Sequence, residues 1–238
     1  MTYLTDTGFG FDRPAAYLFD VDGVVTPTAA VHQRAWKLMF DAVLDEPFTE
    51  DDYLRFVDGK ARAEGIRSVL TSRSLDFSDE QIDGLSTTKN DIFLEILTNE
   101  GVTPYPDAVE LIDHLLDIGA RLAVVSSSRN ARTVLDAAGM SENFEAWVDG
   151  NVAAEHNLPS KPAPDVFQLA AKLLDVPEHD CIVIEDAEAG VRAGAAGAFA
   201  AVVGVDRVGN AEALKACGAD LVVTDLRDLK YGLIIRAD

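Results

Sequence analysis

Residues 18–26 read Leu-Phe-Asp-Val-Asp-Gly-Val-Val-Thr and close a short apolar run that opens at Ala16. Apolar residues ended abruptly by acids and a glycine read as a buried strand followed by a turn. Asp20 and Asp22 stand two residues apart, so an extended chain would turn both side chains to one face. Gly23 invites a local turn, which leaves their directions open. A D-x-D-G string on its own suits a calcium loop or a plain turn as well as a catalytic site.

The same kind of run recurs along the chain. Arg121–Val125 (RLAVV) follows the helix-like DAVELIDHLLDIG, and Cys181–Ile184 (CIVI) follows FQLAAKLLDV. Phe199–Val203 and Leu221–Val223 follow further Ala- and Leu-rich stretches. Strands that alternate with helices of ~10–15 residues predict βαβ units. The expected fold class is therefore α/β, a Rossmann-like, doubly wound parallel sheet covered on both faces. Ligands in such sheets sit beyond the carboxyl ends of the strands. Residues 29–98 break the alternation, with helical periodicity only: AVHQRAWKLMFDAVL, TEDDYLRFV, ARAEGIRSVLTSR and SDEQIDGLSTTKNDIFLEIL. This predicts a small all-helical cap domain inserted after the first strand, on linkers near Pro27 and from Gly101 to Pro106. The core is then 1–28 with 99–238, and 238 residues suit one core with one insertion.

Composition narrows the function. Lys and Arg number 20 against 41 Asp and Glu, a net charge of −21. Nucleic acid is bound by basic surfaces, so it is excluded as a partner. The same charge repels a small anion at long range, so a phosphate site needs a metal and a few placed cations. No apolar run approaches the ~20 residues that span a bilayer. The N-terminal MTYLTDTGFGFDRPA has no basic stretch followed by an apolar one, so no signal peptide is expected. Cys181 and Cys217 read as reduced structural thiols, and a cytoplasmic monomer is expected.

Four segments at predicted strand ends carry chemistry. LFDVDGVVT supplies Asp20 and Asp22. VVSSSRN supplies Ser126, whose hydroxyl and following N–H groups suit a phosphoryl oxygen, or simply a helix N-cap. SKPAPDVF holds Lys161 beside Pro162 and Pro164, a point charge suited to a phosphate and an anionic nucleophile. IVIEDAEAGVRAGAAGA places Glu185 and Asp186 at the end of a buried strand, where adjacent carboxylates repel unless a cation joins them. Oxygen-only ligands indicate Mg²⁺ rather than zinc. The small residues that follow read as close helix–sheet packing.

In this order and at these strand ends, the four segments resemble the haloacid dehalogenase superfamily over nearly the whole chain. The resemblance implies Asp20 as nucleophile, Asp22 as general acid and base, and Ser126 with Lys161 on the transferred phosphoryl group. Asp186, Asp20 and the Asp22 carbonyl would hold Mg²⁺, supported by Glu185. The implied activity is phosphoryl transfer on a small phosphorylated metabolite through an aspartyl phosphate.

TPTAAVHQRAWK further resembles the β-phosphoglucomutase subgroup, with Thr28, His32 and Trp36 on its motif. His32 and Trp36 are four apart, so they share a helix face. Lys89 in TKND matches the cap lysine that links the histidine to the acid/base. VDGKARAEG resembles the substrate loop, with Gly59 and with Arg62 on the position for the non-transferred phosphate. Ser127, Ser128 and Arg129 complete the expected substrate contacts. Departures are Asp58 where characterised mutases carry lysine (Lys60 follows two residues on), Gly65 for a polar residue and Pro27 for an aspartate. An acid near a dianionic end opposes a bisphosphate, so these departures favour a sugar-phosphate phosphatase or phosphotransferase over a genuine mutase. A receiver-like signalling domain would be about half as long, with its aspartate on a later strand. A sugar-phosphate binding protein would be expected to lack some of these residue types, and none is missing.

Overall fold

The computed structural model describes residues 16–231. The N-terminal segment read above as lacking a signal lies outside the described residues. Along the chain run β1 (Ala16–Phe19), α1 (Thr28–Asp41), α2 (Glu50–Phe56), α3 (Arg62–Ser72), α4 (Asp79–Glu100) and α5 (Pro106–Asp117). Then follow β2 (Arg121–Val125), α6 (Ala131–Ala137), β3 (Ala146–Val148), α7 (Gly150–Glu155) and α8 (Asp165–Leu173). Last come β4 (Cys181–Glu185), α9 (Glu188–Ala196), β5 (Ala201–Val205), α10 (Ala211–Ala216) and β6 (Leu221–Val223).

The six strands are parallel in the order β3-β2-β1-β4-β5-β6. The order reverses at β1, where Phe19 lies opposite Val124 of β2 and Ile184 of β4. A crevice opens beyond the carboxyl ends at such a switch point. Alternation along each strand sends side chains to opposite faces. Tyr17, Phe19, Leu122, Val124, Ile182 and Ile184 join α5 and α6 in one cluster. Leu18, Ala123, Val125, Cys181 and Val183 join α8 and α9 in the other. The sheet is thus sealed on both sides, as a run of consecutive apolar residues requires.

Helices α1–α4 occupy the stretch expected to be all helical, beginning one residue earlier and ending two later than residues 29–98. They enclose an apolar cluster of their own around Trp36, Phe40, Phe48, Tyr53, Ile66 and Val69. The starts of α2 and α4 are fixed by capping boxes, Thr49 with Asp52 and Ser78 with Gln81. The last turns of α4 pack elsewhere, with Phe93, Ile96 and Leu97 in the cluster against the sheet.

Two strand readings need correction. β3 was not expected. Its three residues, Ala146–Val148, are too few to give an alternating signal. β5 begins two residues later than read, at Ala201. Phe199 instead packs edge-on against Phe167 with centroids 6.0 Å apart, filling space that a side chain at Gly197 would occupy.

Leu18 is fully buried on the central strand, with Ala123 and Val183 beside it in register. Leu18→Ala is expected to destabilise the protein by about 2–5 kcal/mol in urea unfolding. A loss below about 1 kcal/mol would contradict a sheet sealed on both faces.

Candidate active site

The chain leaves β1 along a ladder that continues one residue further, Asp20 N–H donating to Ile184 O at 3.0 Å. A tight turn follows, closed by Gly23 N–H to Thr26 O at 2.7 Å and Thr26 N–H to Val21 O at 3.0 Å. Gly23 has φ +96°, and a Cβ there would collide with the Asp186 carboxylate. Only glycine both adopts this conformation readily and lets the two acidic loops approach.

The turn sends the two aspartates to different partners. Lys161 Nζ donates to Asp20 Oδ1 at 2.8 Å, to Glu185 Oε1 at 2.5 Å and to Val125 O at 3.1 Å. Glu185 Oε2 accepts from Ala187 N–H at 2.9 Å, so both Glu185 oxygens are engaged. Gly190 would drive a Cβ into this carboxylate, so a glycine there lets α9 approach the end of β4. Gly194 does serve close packing, against Val183 and Val202.

Asp22 turns toward the helical cap. Thr28 Oγ1 donates to Asp22 Oδ1 at 2.5 Å, and His32 Nε2 lies 3.4 Å from the same oxygen. Lys89 Nζ meets His32 Nδ1 at 2.5 Å. If Lys89 donates to Nδ1, the ring proton is on Nε2, on the side of Asp22. His32 stacks on Phe93 at 4.0 Å, and Lys89 Nζ lies 5.0 Å from both the Trp36 and Phe93 rings. Trp36 is therefore part of the cap cluster and a wall of the site at once.

Ser126 follows β2 and does not cap α6. Its Oγ accepts from Ser128 N–H at 3.0 Å, and Ser128 Oγ accepts from Asn130 N–H at 3.1 Å. These bonds hold a serine loop open toward a cleft of about 350 Å³ lined by Asp20, Asp22, Arg62, Arg129, Ser126 and Asp186, among others. Cap and core meet around it. Ser127 Oγ donates to Gly59 O at 2.7 Å, Asn130 Nδ2 to Asn90 Oδ1 at 2.9 Å, and Ser160 Oγ to Glu64. Arg62 is held by Ser86 O at 3.1 Å and Asn90 Oδ1 at 2.8 Å.

Charge is unevenly distributed in this cleft. Burial pushes the Asp20 carboxyl up to about 8. Lys161 opposes that rise, and Glu185 and Asp22 add to it. Burial and then Glu185 and Asp58 push Asp186 well above the usual carboxylate range. Burial also raises Asp22, but His32, Thr28 and Lys89 outweigh it and hold the group below its ordinary value. Burial and the Arg62 cation hold Lys89 well below the usual lysine range, with Asp22 opposing. Burial and then Arg129 depress Arg62, and both cations line the cleft.

Asp20, Glu185 and Asp186 offer carboxylate oxygens within 4.8 Å of one another. Raised carboxyls with oxygen-only donors fit a hard divalent cation such as Mg²⁺. The Asp22 carboxylate is outside this cluster, as expected of a residue whose contribution would be its main-chain carbonyl.

The family profile of haloacid dehalogenase-like hydrolases matches residues 14–197. The chain belongs to that family. It is 41% identical over 241 residues to a β-phosphoglucomutase of Mycobacterium bovis, covering 92% of each chain. It is 35% identical to the β-phosphoglucomutase of Bacillus subtilis, covering 92% of this chain and 93% of that one. A crystal structure of β-phosphoglucomutase from Clostridium difficile superposes with a TM-score of 0.80 at 30% identity, over 91% and 93% of the chains. Among the described residues no helix is long and apolar enough to cross a membrane.

Sequence reasoning missed several residues that line or brace the site. Tyr53 lines the cleft, and Asn90 and Asn130 join cap to core. Ser86 and Asn90 are four apart on α4, a polar pair on one helix face that could have been noticed. Asp58 faces inward beside Tyr53. Burial and then Glu185 push its carboxyl up to about 7.

Raised carboxyls make folding of the metal-free protein less favourable as pH climbs from the ordinary carboxylate range toward about 8, because the unfolded chain ionises first. Protons and Mg²⁺ compete for the same oxygens. Saturating Mg²⁺ should therefore raise the melting temperature more at pH 8 than at pH 6. A shift as large at pH 6 would contradict the cluster as the cation site.

Proposed function

We propose that this enzyme is a Mg²⁺-dependent sugar-phosphate phosphomutase of the β-phosphoglucomutase type, working through a phosphoryl group carried on Asp20. The observation that carries this reading is a second pair of cations in the cleft. Lys161 is bonded to the nucleophile, and Arg62 and Arg129 line the same cleft besides. A bisphosphorylated sugar carries two dianions and needs more positive charge than Lys161 alone supplies. The similarity to β-phosphoglucomutases over 92% of the chain supports the same reading.

With the phosphoryl group on Asp20, the ionised Asp22 would take the proton of the free sugar hydroxyl, which attacks phosphorus, breaks the bond to Asp20 and gives a bisphosphorylated sugar. Lys161 offsets the charge of the nucleophile and of the transferred oxygens. After the sugar reorients, Asp20 would attack the other phosphorus, and the protonated Asp22 would give its proton to the departing sugar oxygen. Asp20, Asp186 and the Asp22 carbonyl would hold Mg²⁺, which supplies positive charge against the phosphoryl oxygens. Glu185, both of whose oxygens are engaged, would act mainly by orienting Lys161. His32, Thr28 and Lys89 hold the Asp22 carboxyl below its ordinary value, which favours the ionised form that takes the hydroxyl proton. We assign the closing element to residues 29–98 and the phosphoryl chemistry to the core.

Asp58 is the departure that spoke for a phosphatase. Burial and then Glu185 push its carboxyl up to about 7. At neutral pH it therefore carries less charge than an ordinary aspartate and opposes a bisphosphate less. A sugar-phosphate phosphatase remains the second reading, favoured by one observation: Asp58 adds an acid to the lining of the cleft, where characterised mutases carry a lysine.

The test is incubation with Mg²⁺, β-glucose 1-phosphate and a trace of β-glucose 1,6-bisphosphate, followed by phosphorus NMR. Glucose 6-phosphate without free phosphate is the expected result. Free phosphate without isomerisation would make the enzyme a phosphatase. Neither product would exclude glucose as the sugar.

A further inference from the structure

Arg207, in the loop after β5, lies outside the motifs that define the site and reaches into the turn that carries Asp22. Its Nε donates to Gly23 O at 3.3 Å and its Nη2 to Val24 O at 3.3 Å. The same guanidinium grips Asp107 at the start of α5, Nη1 to Oδ2 at 2.8 Å and Nη2 to Oδ1 at 3.2 Å. Asp107 is buried and accepts also from Leu226 N–H at 2.9 Å, so its position is fixed from a third side. The Tyr105 ring lies 4.0 Å from the guanidinium carbon, and Tyr105 N–H donates to Val25 O at 2.9 Å.

We propose that Arg207 is a positioning residue for the reaction: it holds the Asp22 turn by the Gly23 and Val24 carbonyls. The proposal rests on Asp22 as the acid and base. The turn closes on itself through Val21 O and Thr26 O, and its third carbonyl, Val25 O, takes the Tyr105 amide. Gly23 O and Val24 O point to the outside of that loop and are taken by one rigid fork. A planar guanidinium can serve two carbonyls and a carboxylate at fixed angles, which an ammonium cannot.

The loop that presents Arg207 is built for the task. Asp206 Oδ1 accepts from the N–H groups of Val208 at 3.2 Å, Gly209 at 2.5 Å and Asn210 at 2.9 Å. Asp206 N–H donates to Val223 O at 2.8 Å, tying the loop to β6. Both chain crossings between core and cap converge on Arg207, one at Val24 and Val25, the other at Tyr105. A buried ion pair is a weak stabiliser compared with apolar packing of the same volume, so stability alone is a poor reason for this one. Fixing the core ends of two linkers, and the acid between them, is a better one.

The consequence is a specific pattern of lost activity. Expelling a sugar oxygen requires the proton that Asp22 delivers, whereas p-nitrophenolate leaves as a stable anion. The parameter kcat/KM covers only the steps through departure of the leaving group. Arg207→Lys keeps the charge opposite Asp107 but loses the fork. It should lower kcat/KM for β-glucose 1-phosphate about tenfold or more and leave that for p-nitrophenyl phosphate within about threefold. Asp22→Asn, assayed in parallel, should give the same split in stronger form. Should Arg207→Lys fail to fold, Arg207→Met with Asp107→Asn removes both buried charges, retains an acceptor for Leu226 N–H and should give the same split. Equal losses on both substrates, or no loss on either, would overturn the role of Arg207. Absence of the split in Asp22→Asn would remove the reading of Asp22 itself, and this proposal with it.

Discussion

One buried ammonium group organises the catalytic end of the molecule. Lys161 is almost wholly out of solvent, yet it touches Asp20, Glu185 and the Val125 carbonyl at once. Those three acceptors belong to the ends of β1, β4 and β2, the three strands that meet at the switch point of the sheet. Desolvating carboxylates is unfavourable, and the lysine compensates only part of that charge, as the raised Asp20 carboxyl attests. Among the described residues Asp186 has no such partner, and burial and Glu185 raise it well above the ordinary range. The site is thus held together by a cation and left wanting another, which is the local compensation that a chain of net charge −21 needs to accept a phosphate.

The remaining parts of the site follow from how the turn after β1 divides two similar acids. Asp20 stays with the sheet and its lysine. Asp22 is passed to the cap, where Thr28 holds it and His32, backed by Lys89, points at it. Asp22 is therefore tuned by residues of α1 and α4. Ser127 with Gly59 and Asn130 with Asn90 join the cap to the core as well.

Most of this was legible in the sequence where local pattern and tertiary role coincide. The apolar runs before Asp20, Ser126 and Glu185 are strands because both their faces are buried, so composition alone marks them. Thr28, His32, Trp36 and Lys89 were legible through resemblance to a subgroup motif, and the structure brings them together around Asp22. What could not be read depended on direction or on distant packing. That Asp58 lines the cleft depends on a turn at Gly59, which has φ +72°, and no spacing rule gives it. Phe199 looks like a strand residue, yet it folds back over Gly197 toward Phe167. Arg207 lies in a loop with no motif, and its partners Gly23 and Asp107 are distant along the chain.

The most direct measurement is rapid acid quenching of the enzyme during turnover with Mg²⁺ and a sugar phosphate, followed by peptide mass mapping. The expected result is a phosphoryl group on the peptide that carries Asp20, absent from Asp20→Asn protein. Steady turnover with the phosphoryl group on another residue, or undiminished turnover in Asp20→Asn, would contradict Asp20 as its carrier.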